Sequence, residues 1–417
     1  MAKKKVKKQA SRLSSKSKSK INVMIHASFL YTGQGVLEKD GRNLKEQDLA
    51  PIKDGALVYT ASKILWAGPT AELPKKYAQL PAANLKNKQA IMPGLIDSHT
   101  HLVFAGSRAS EFAKRCAGAS YQDIAAAGGG IQTSVNATRD ESFDTLYDLA
   151  LKRAKIAHSF GVRTIECKSG YGLTHESEIK CLKVIKALQK NFPHMTFVST
   201  YLGAHSIPKE KSKEDYLREM IEQTLPEVAR LKLAEIVDVF VDEGYFTVED
   251  ARKLLGSARS LGLKLKVHAD ELSNTESTQL AVDLKALSAD HLLKISAKSR
   301  VAIAKSSTVA TLLPGTAFYL KEPYAPARAL LDAGAKVAVS TDFNPGSCYS
   351  LNLPLMMNLS ALYMKMNVCE IFASVTYNAA SALGLEKSKG VLAEGYDSDF
   401  IVLPYDTFEE MYYRLGW

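Results

Sequence analysis

The chain has 417 residues, of which 46% are hydrophobic and 24% charged. This length indicates a large domain of roughly 250 to 300 residues with a smaller one beside it, and the composition is typical of soluble globular proteins. The formal net charge of +10 is concentrated in residues 1–20, which hold nine Lys or Arg and no acid, so the nearly neutral body does not indicate a nucleic-acid partner. No run reaches the roughly 18 apolar residues of a membrane span.

Residues 1–20 predict a disordered leader, because a Lys- and Ser-rich segment cannot bury enough surface to fold. A nuclear or anionic-surface address and a solvated tail without a role both remain open. The cysteines are odd in number, widely spaced and without a CxxC pair, which favours reduced thiols in the cytoplasm over a disulfide framework or a thiolate zinc site. They are Cys116, Cys167, Cys181, Cys348 and Cys369.

Residues 21–90 contain short strand-like pieces separated by turn residues, and residues 386–417 have the same character. The strand-like pieces are Ile21 to Ile25, Ala56 to Tyr59 and Ile64 to Ala67. We therefore expect both ends of the chain to build one small β-sandwich-like domain.

Residues 91–385 predict a (β/α)8 TIM barrel, because eight β-branched runs alternate with amphipathic segments such as Tyr216 to Leu231. An open doubly wound sheet is the alternative, but it would bind its ligand at one switch point rather than draw polar residues from nearly every strand. The eight runs are Ile91 to Asp97, Val162 to Cys167, Thr196 to Leu202, Ile236 to Val241, Leu263 to Val267, Lys285 to Ala289, Thr308 to Leu313 and Lys336 to Ser340.

The long interval after the first run contains Gly128, Gly129 and Gly130. Three glycines permit unusual backbone angles, so this segment is either a lid at the barrel mouth or a turn before a helix. We favour the mouth-of-barrel loop.

His99 and His101 end the first run and lie two positions apart, so on a strand both imidazoles point the same way. His268 and Asp342 follow later runs, and the carboxyl ends of all barrel strands meet at one rim. Three imidazoles and one carboxylate suit a single metal ion, either divalent zinc or iron as Fe2+ or Fe3+. We predict His99, His101, His268 and Asp342 as its ligands.

Two further rim residues fit a hydrolytic reaction. Glu271 stands three residues after His268, where a carboxylate outside the ligand set can take a proton from an activated water and return it to a leaving nitrogen. His291 ends the Ser288 to His291 segment and is placed to stabilise a developing oxyanion, although a hydrogen-bonded supporting role is also open.

Arg108 follows the histidine pair closely, and its planar guanidinium can grip a substrate carboxylate through two parallel hydrogen bonds. Further candidate ligands of a substrate follow other strands. They are Tyr171, His205, Asn344, Gly346 and Ser347.

Several segments together resemble the metal-dependent amidohydrolase superfamily, and within it the imidazolonepropionase family most closely. They span about residues 90 to 385 and include DSHTHLVFAGSRASEF, ECKSGYGL, YLGAHSIPKE, KVHADEL, SADHL and STDFNPGS. The lysine-rich leader has no counterpart in that family's pattern. The chain also ends at Trp417, before the further strand that such proteins usually add to the small domain.

The resemblance implies hydrolysis of 4-imidazolone-5-propanoate to N-formimidoyl-L-glutamate, the third step of histidine breakdown. It implies a homodimer with one metal ion per chain, held by His99, His101, His268 and Asp342. From the residues we predict Asp342, Glu271 and His291 as catalytic. The resemblance assigns a second set of positions, which overlaps at Glu271, to substrate or product. These are Arg108, Tyr171, His205, Glu271, Asn344, Gly346 and Ser347.

Two other functions are compatible with parts of the pattern. A cytosine- or guanine-type deaminase of the same superfamily would share the metal ligands, but its uncharged substrate has no carboxylate for Arg108. A barrel that has become a non-catalytic scaffold would be expected to have lost metal ligands, and none of the four is missing.

Overall fold

The computed structural model describes residues 20–118 and 129–415. The predicted leader, apart from Lys20, and Gly128 of the glycine segment lie outside the described residues. The strands, in chain order, are β1 (Asn22–Leu30), β2 (Ile52–Tyr59), β3 (Ile64–Pro69), β4 (Ala82–Asn84), β5 (Ile91–Pro93), β6 (Leu95–Asp97), β7 (Val162–Lys168), β8 (Thr196–Ala204), β9 (Ile236–Val241), β10 (Lys264–Ala269), β11 (Ser288–His291), β12 (Val309–Leu312), β13 (Val337–Val339) and β14 (Phe400–Val402).

The α-helices, in chain order, are α1 (Gln34–Glu38), α2 (Lys75–Ala78), α3 (Ala109–Cys116), α4 (Ile131–Asp140), α5 (Phe143–Ser159), α6 (His175–Asn191), α7 (Lys213–Glu219), α8 (Leu225–Arg230), α9 (Val248–Ser260), α10 (Ser277–Asp283), α11 (Ala297–Ala304), α12 (Pro314–Leu320), α13 (Ala327–Asp332), α14 (Leu353–Met364), α15 (Val368–Ser374), α16 (Tyr377–Ser381) and α17 (Glu409–Tyr413). Among the described residues, no helix has the length and apolar character needed to cross a membrane.

Strands β6 to β13 form one eight-stranded sheet in sequential order, with parallel neighbours. The two edge strands approach each other beyond their ends, where the His101 N–H donates to the Phe343 carbonyl over 2.9 Å and the Asp342 N–H to the His99 carbonyl over 3.0 Å. The predicted (β/α)8 barrel with a separate sheet is confirmed. This closure of the barrel also brings His99 and His101 close to Asp342.

The run Ile91 to Asp97, predicted as one strand, is divided at Gly94 between two sheets. Strand β5 pairs with β14 and β1, whereas β6 pairs with the barrel strand β7. A Cβ atom at Gly94 would lie 2.6 Å from the Arg163 side chain and 2.8 Å from the Asp399 carboxylate, so the crossing point has no room for a side chain. Apolar character alone does not reveal such a division.

The second sheet has the order β14-β5-β1-β2-β3, with β4 paired to β1, and so draws strands from both ends of the described chain. Ala27, Leu30, Leu57 and Ile91 of this sheet pack in one apolar cluster with Leu392, which lies outside the strands. Its first three strands are longer than the apolar pieces that indicated them. The domain boundaries at residues 90 and 386 stay predictions.

Two elements differ from their sequence patterns. The segment Tyr216 to Leu231, predicted as one helix, consists of α7 and α8 joined by a π-helical turn over Met220–Thr224. Pro226 explains the break, because its ring has no N–H and displaces the preceding turn. The strand expected over Lys285 to Ala289 begins three residues later, at Ser288, because Lys285, two residues after the end of α10, has a positive φ of 47°.

Candidate active site

The histidines predicted to be functional lie at the C-terminal ends of the barrel strands. His99 and His101 follow β6, His205 follows β8, and His268 and His291 lie in the last residues of β10 and β11. This is the rim where barrel enzymes collect catalytic groups, since every parallel strand ends there.

Four predicted metal ligands and His291 form one buried cluster. Candidate ligand atoms of His99, His268 and His291 lie within 4.8 Å of one another, and so do those of His99, His101 and Asp342. Asp342 Oδ1 is 3.5 Å from His99 Nε2 and 3.4 Å from His101 Nε2. The two groups share His99, which links all five side chains into one cluster.

The chemistry of this cluster fits a divalent metal. His99 Nε2, His268 Nε2 and both ring nitrogens of His291 are buried without a hydrogen-bond partner among the described residues. Burying such polar atoms unpaired costs free energy that a metal ion would offset. Burial lowers the pKa values of His99 and His101 well below the usual value, and the nearby positive charge of Lys168 adds to this effect. Neutral imidazoles result, which is the form that binds a metal.

Carboxylates beneath the cluster orient two of the histidines. Asp290 Oδ2 lies 2.6 Å from His99 Nδ1, and Asp238 Oδ2 lies 3.0 Å from His268 Nδ1. A carboxylate on one ring nitrogen leaves the other nitrogen as the lone-pair donor. Asp342 is held in turn by Thr316, whose hydroxyl donates to Asp342 Oδ2 over 2.6 Å.

These carboxylates belong to a fully buried ion network inside the barrel. Lys266 Nζ lies 3.1 Å from Asp290 and 3.0 Å from Glu166, and Lys168 Nζ lies 2.7 Å from Asp238 and 2.9 Å from Glu166. Burial lowers the pKa of Lys168, but the carboxylates of Asp238 and Glu166 raise it further, and the net shift is upward. The Lys168 ammonium therefore stays charged.

Sequence analysis did not find this network, although a signal for it existed. Glu166 and Lys168 are two apart in β7, and Lys266 and His268 are two apart in β10. Charged residues at alternate positions of an otherwise apolar strand share one face. Here that face is the barrel interior.

Glu271 and His291 lie side by side above the cluster, with Glu271 Oε2 3.4 Å from His291 Nε2. Burial, followed by the charges of Asp342 and Asp242, raises the pKa of Glu271 well above its usual value. Burial lowers the pKa of His291 to about 3. A carboxyl with raised affinity for a proton beside a neutral imidazole is the arrangement expected for proton transfer.

A cavity of about 780 Å3 opens over this cluster. It is lined by every predicted site residue except His99, which lies beneath it. The predicted residues in the lining are His101, Arg108, Tyr171, His205, His268, Glu271, His291, Asp342, Asn344, Gly346 and Ser347. Residues from distant parts of the chain therefore line the same cavity.

Arg108 is oriented from both sides in this cavity. Its Nε donates to Glu111 Oε2 over 2.8 Å, and Glu111 Oε1 also accepts the Gly130 N–H over 3.0 Å. A Cβ atom at position 346 would lie 2.2 Å from Arg108 Nη1, so the guanidinium packs against bare backbone of Gly346. Whether the glycine segment acts as a lid stays a prediction.

Arg115 is a second guanidinium in the cavity wall that sequence analysis missed. Its Nη2 donates to the Gly346 carbonyl over 2.9 Å, and it lies 5.0 Å from the centre of the Tyr319 ring. Arg115 follows Arg108 by seven residues, or two helical turns. This spacing could have indicated that both guanidinium groups lie on the same face of α3.

Asn344 organises the loop that carries Gly346 and Ser347. Its Oδ1 accepts the N–H groups of Gly346 and Ser347 over 2.8 and 2.7 Å, while its Nδ2 donates to the Ser347 hydroxyl over 2.8 Å. His205 is similarly fixed, since its Nδ1 lies 3.0 Å from the Gly170 carbonyl oxygen. Nδ1 must be the donor of that pair, which makes Nε2 the acceptor.

Comparison with known proteins agrees with this geometry. The profile of the Amidohydrolase family matches residues 90–413. An imidazolonepropionase of Clostridium tetani is 42% identical over 400 residues, covering 95% of this chain and 94% of that protein. The chain belongs to the amidohydrolase family, in its imidazolonepropionase group. This amidohydrolase is thus an enzyme, and members of its family depend on a metal.

Solved structures share the fold of this amidohydrolase at low sequence identity. A triazine hydrolase variant superposes with a TM-score of 0.69 at 14% identity, covering 93% of this chain and 88% of that one. An adenosine deaminase from Xanthomonas campestris with bound zinc gives a TM-score of 0.63 at 14% identity, covering 91% of this chain and 84% of that one. The similarity extends across both the barrel and the second sheet.

Proposed function

We propose that this amidohydrolase hydrolyses the ring C–N bond of 4-imidazolone-5-propanoate and releases N-formimidoyl-L-glutamate in histidine degradation. The observation that carries the proposal is that the metal-fitting cluster, apart from the underlying His99, and the guanidinium of Arg108 line the same cavity. Such a cavity fits a small cyclic amide with a carboxylate arm. The names of the close relatives support the same reaction.

His99, His101, His268 and Asp342 would hold one divalent metal. When bound, the metal would supply an activated water and polarise the ring carbonyl. Zinc and iron both suit three imidazoles and a carboxylate. Asp290 and Asp238 orient His99 and His268 toward this role from below.

The remaining residues bind the substrate and move the proton. Arg108 binds the propanoate carboxylate through its terminal nitrogens, which donate no hydrogen bond to any other described residue, while its Nε is engaged by Glu111. Glu271 takes the proton of the attacking water on a carboxylate oxygen and passes it to the ring nitrogen as the C–N bond breaks. His291 stabilises the oxyanion that develops on the carbonyl oxygen.

Tyr171, His205, Asn344, Gly346 and Ser347 complete the substrate site. Tyr171 and His205 are neighbours, with ring centres 5.2 Å apart. Burial lowers the pKa of His205 well below its usual value, so a neutral Nε2 can accept an N–H of the substrate ring. Asn344 acts by holding the Gly346 and Ser347 loop in place.

The proposed activity is tested with purified, metal-supplemented protein. It should deplete imidazolone propanoate and leave cytosine and guanine unchanged. Deamination of either base without turnover of imidazolone propanoate would refute the assignment. Less than one transition metal ion per chain after supplementation would contradict the proposed ligand set.

Arg108→Ala should raise KM roughly 10- to 150-fold, which corresponds to a charge-assisted hydrogen-bond pair of about 1.5 to 3 kcal/mol. Arg108→Lys should recover only part of this loss, because an ammonium cannot form two parallel hydrogen bonds. Steady-state kinetics measures both variants. Lys114→Ala, an exposed cation of the same helix, is the matched control. An unchanged KM in Arg108→Ala would refute the carboxylate role.

We further infer a cytoplasmic homodimer that acts on a small molecule, without a nucleic-acid or membrane partner. All five cysteines are free, which favours a reducing compartment. The dimer rests on the resemblance to the imidazolonepropionase family. Light scattering of the purified protein tests it, and a monomer at micromolar concentration would contradict it.

A further inference from the structure

The loop from Gly170 to Leu173 follows β7 and carries Tyr171 into the cavity. Its backbone is strained at Leu173, where φ is 51°, and Gly170 has a φ of 113° that glycine adopts readily but other residues rarely do. A Cβ atom at Gly170 would lie 2.9 Å from the Leu202 carbonyl oxygen, and one at Gly172 would lie 2.6 Å from the Glu178 nitrogen. The loop is therefore wedged between the end of β8 and the start of α6.

One buried carboxylate holds three amides of this loop. Glu178 Oε2 accepts the Gly170 N–H over 3.0 Å, and Oε1 accepts those of Gly172 and Leu173 over 2.7 and 2.9 Å. Glu178 lies in the first turn of α6 and is 1% exposed. Strained backbone persists only where its surroundings hold it firmly, and Glu178 provides that hold.

A guanidinium holds two carbonyl groups of the same loop. Arg139 Nε donates to the Gly172 carbonyl over 2.7 Å, and Nη2 to the Leu173 carbonyl over 3.1 Å. Arg139 Nη1 also lies 2.6 Å from Glu210, in the loop that follows β8. Arg139 therefore connects three segments of the rim, those after β6, β7 and β8.

The same loop also fixes His205, because the Gly170 carbonyl is the partner of His205 Nδ1. Tyr171 and His205 thus both depend on how the peptides of residues 170–173 lie. Neither Glu178 nor Arg139 lines the cavity. Their effect on a bound substrate must pass through the loop.

We propose that Glu178 and Arg139 form a clamp on residues 170–173 and are positioning residues for the substrate contacts of Tyr171 and His205. The role of those two contacts rests on the proposed function. The clamp itself rests on the five hydrogen bonds to the loop, which do not depend on the identity of the substrate.

Glu178→Gln breaks the clamp with little change in volume. An amide offers one acceptor oxygen, so its NH2 group must face at least one of the three N–H donors. KM should rise roughly tenfold or more while kcat changes less than threefold, since binding in the ground state and the transition state suffers equally. Metal content should stay the same. Glu176→Gln, an exposed acid in the same helical turn, should leave KM unchanged.

A mutant cycle separates positioning from a general loss of stability. In a background that lacks both side chains, Tyr171→Ala with His205→Ala, Glu178→Gln should raise KM less than threefold further, because the clamp acts through the two removed contacts. Equal increases in KM in both backgrounds, or an unchanged KM in Glu178→Gln, would overturn the proposal.

Hydrogen exchange tests the clamp without any substrate. The amides of Gly170, Gly172 and Leu173 should be protected in the unmodified protein and should exchange at least tenfold faster in Glu178→Gln, with Glu176→Gln unaffected. Unchanged protection would overturn the clamp. If the unmodified protein does not turn over imidazolone propanoate but Glu178→Gln loses this protection, the proposed function is refuted and the clamp is not.

Discussion

The Glu271→Gln variant should retain its metal, and its kcat should fall by a factor of about 10² to 10⁴. The substitution preserves the shape of a side chain that lies 3.4 Å from His291, but an amide cannot take up the proton of the attacking water. Burial raises the pKa of the Glu271 carboxyl, which strengthens its hold on that proton. The loss should therefore appear in kcat rather than in metal affinity.

Elemental analysis of the purified variant and steady-state kinetics together check this result. Glu243→Gln, an exposed acid on the same rim after β9, should match the unmodified protein in both measurements. Loss of metal from Glu271→Gln would make Glu271 a ligand instead. Unchanged kcat would remove it from the proton pathway.

Asp290→Ala should destabilise the metal-free protein by about 3 to 5 kcal/mol. The carboxylate lies 2.6 Å from His99 and 3.1 Å from Lys266, and all three side chains are fully buried. Removing it leaves a buried ammonium and a buried imidazole each with one partner fewer. Because Asp290 also orients a proposed ligand, metal affinity should fall roughly 10- to 100-fold.

Urea unfolding of the chelator-treated protein and a metal titration measure the two effects. The stability of Asp290→Asn should lie between those of the unmodified protein and Asp290→Ala. Its amide oxygen can still accept a hydrogen bond from the Ser288 hydroxyl, but the charge is lost. Asp283→Ala removes an exposed carboxylate and should stay within about 0.5 kcal/mol. If Asp290→Ala lowers the free energy of unfolding by less than about 1 kcal/mol, the ion network does not depend on the Asp290 charge.

The barrel was predictable because each strand leaves a local pattern. Apolar β-branched runs between amphipathic segments need no knowledge of distant contacts, and a polar residue just after a run points to the rim. This is why Arg108, His268 and Asp342 could be named as site residues before their proximity was known. The division of Ile91 to Asp97 was not predictable, since both halves are equally apolar and only the contacts at Gly94 separate them.

The interior ion network and the loop clamp depend on three-dimensional proximity. Lys168 and Asp238 are 70 residues apart, and His99 and Asp290 are 191 apart. A charged residue within a strand has the same local pattern whether it meets a partner across the barrel or not. The pairing exists only once eight strands have closed.

The amino-acid order therefore specifies which chemical groups reach the rim, because strand periodicity and strand ends are local properties. Tertiary structure specifies what those groups can do. It buries His99 and His101 so that they stay neutral, sets Asp290 behind His99 and Asp238 behind His268, and clamps the Tyr171 loop between Glu178 and Arg139. Burial and electrostatic pairing arise from distances across the folded chain, which no segment of the sequence contains.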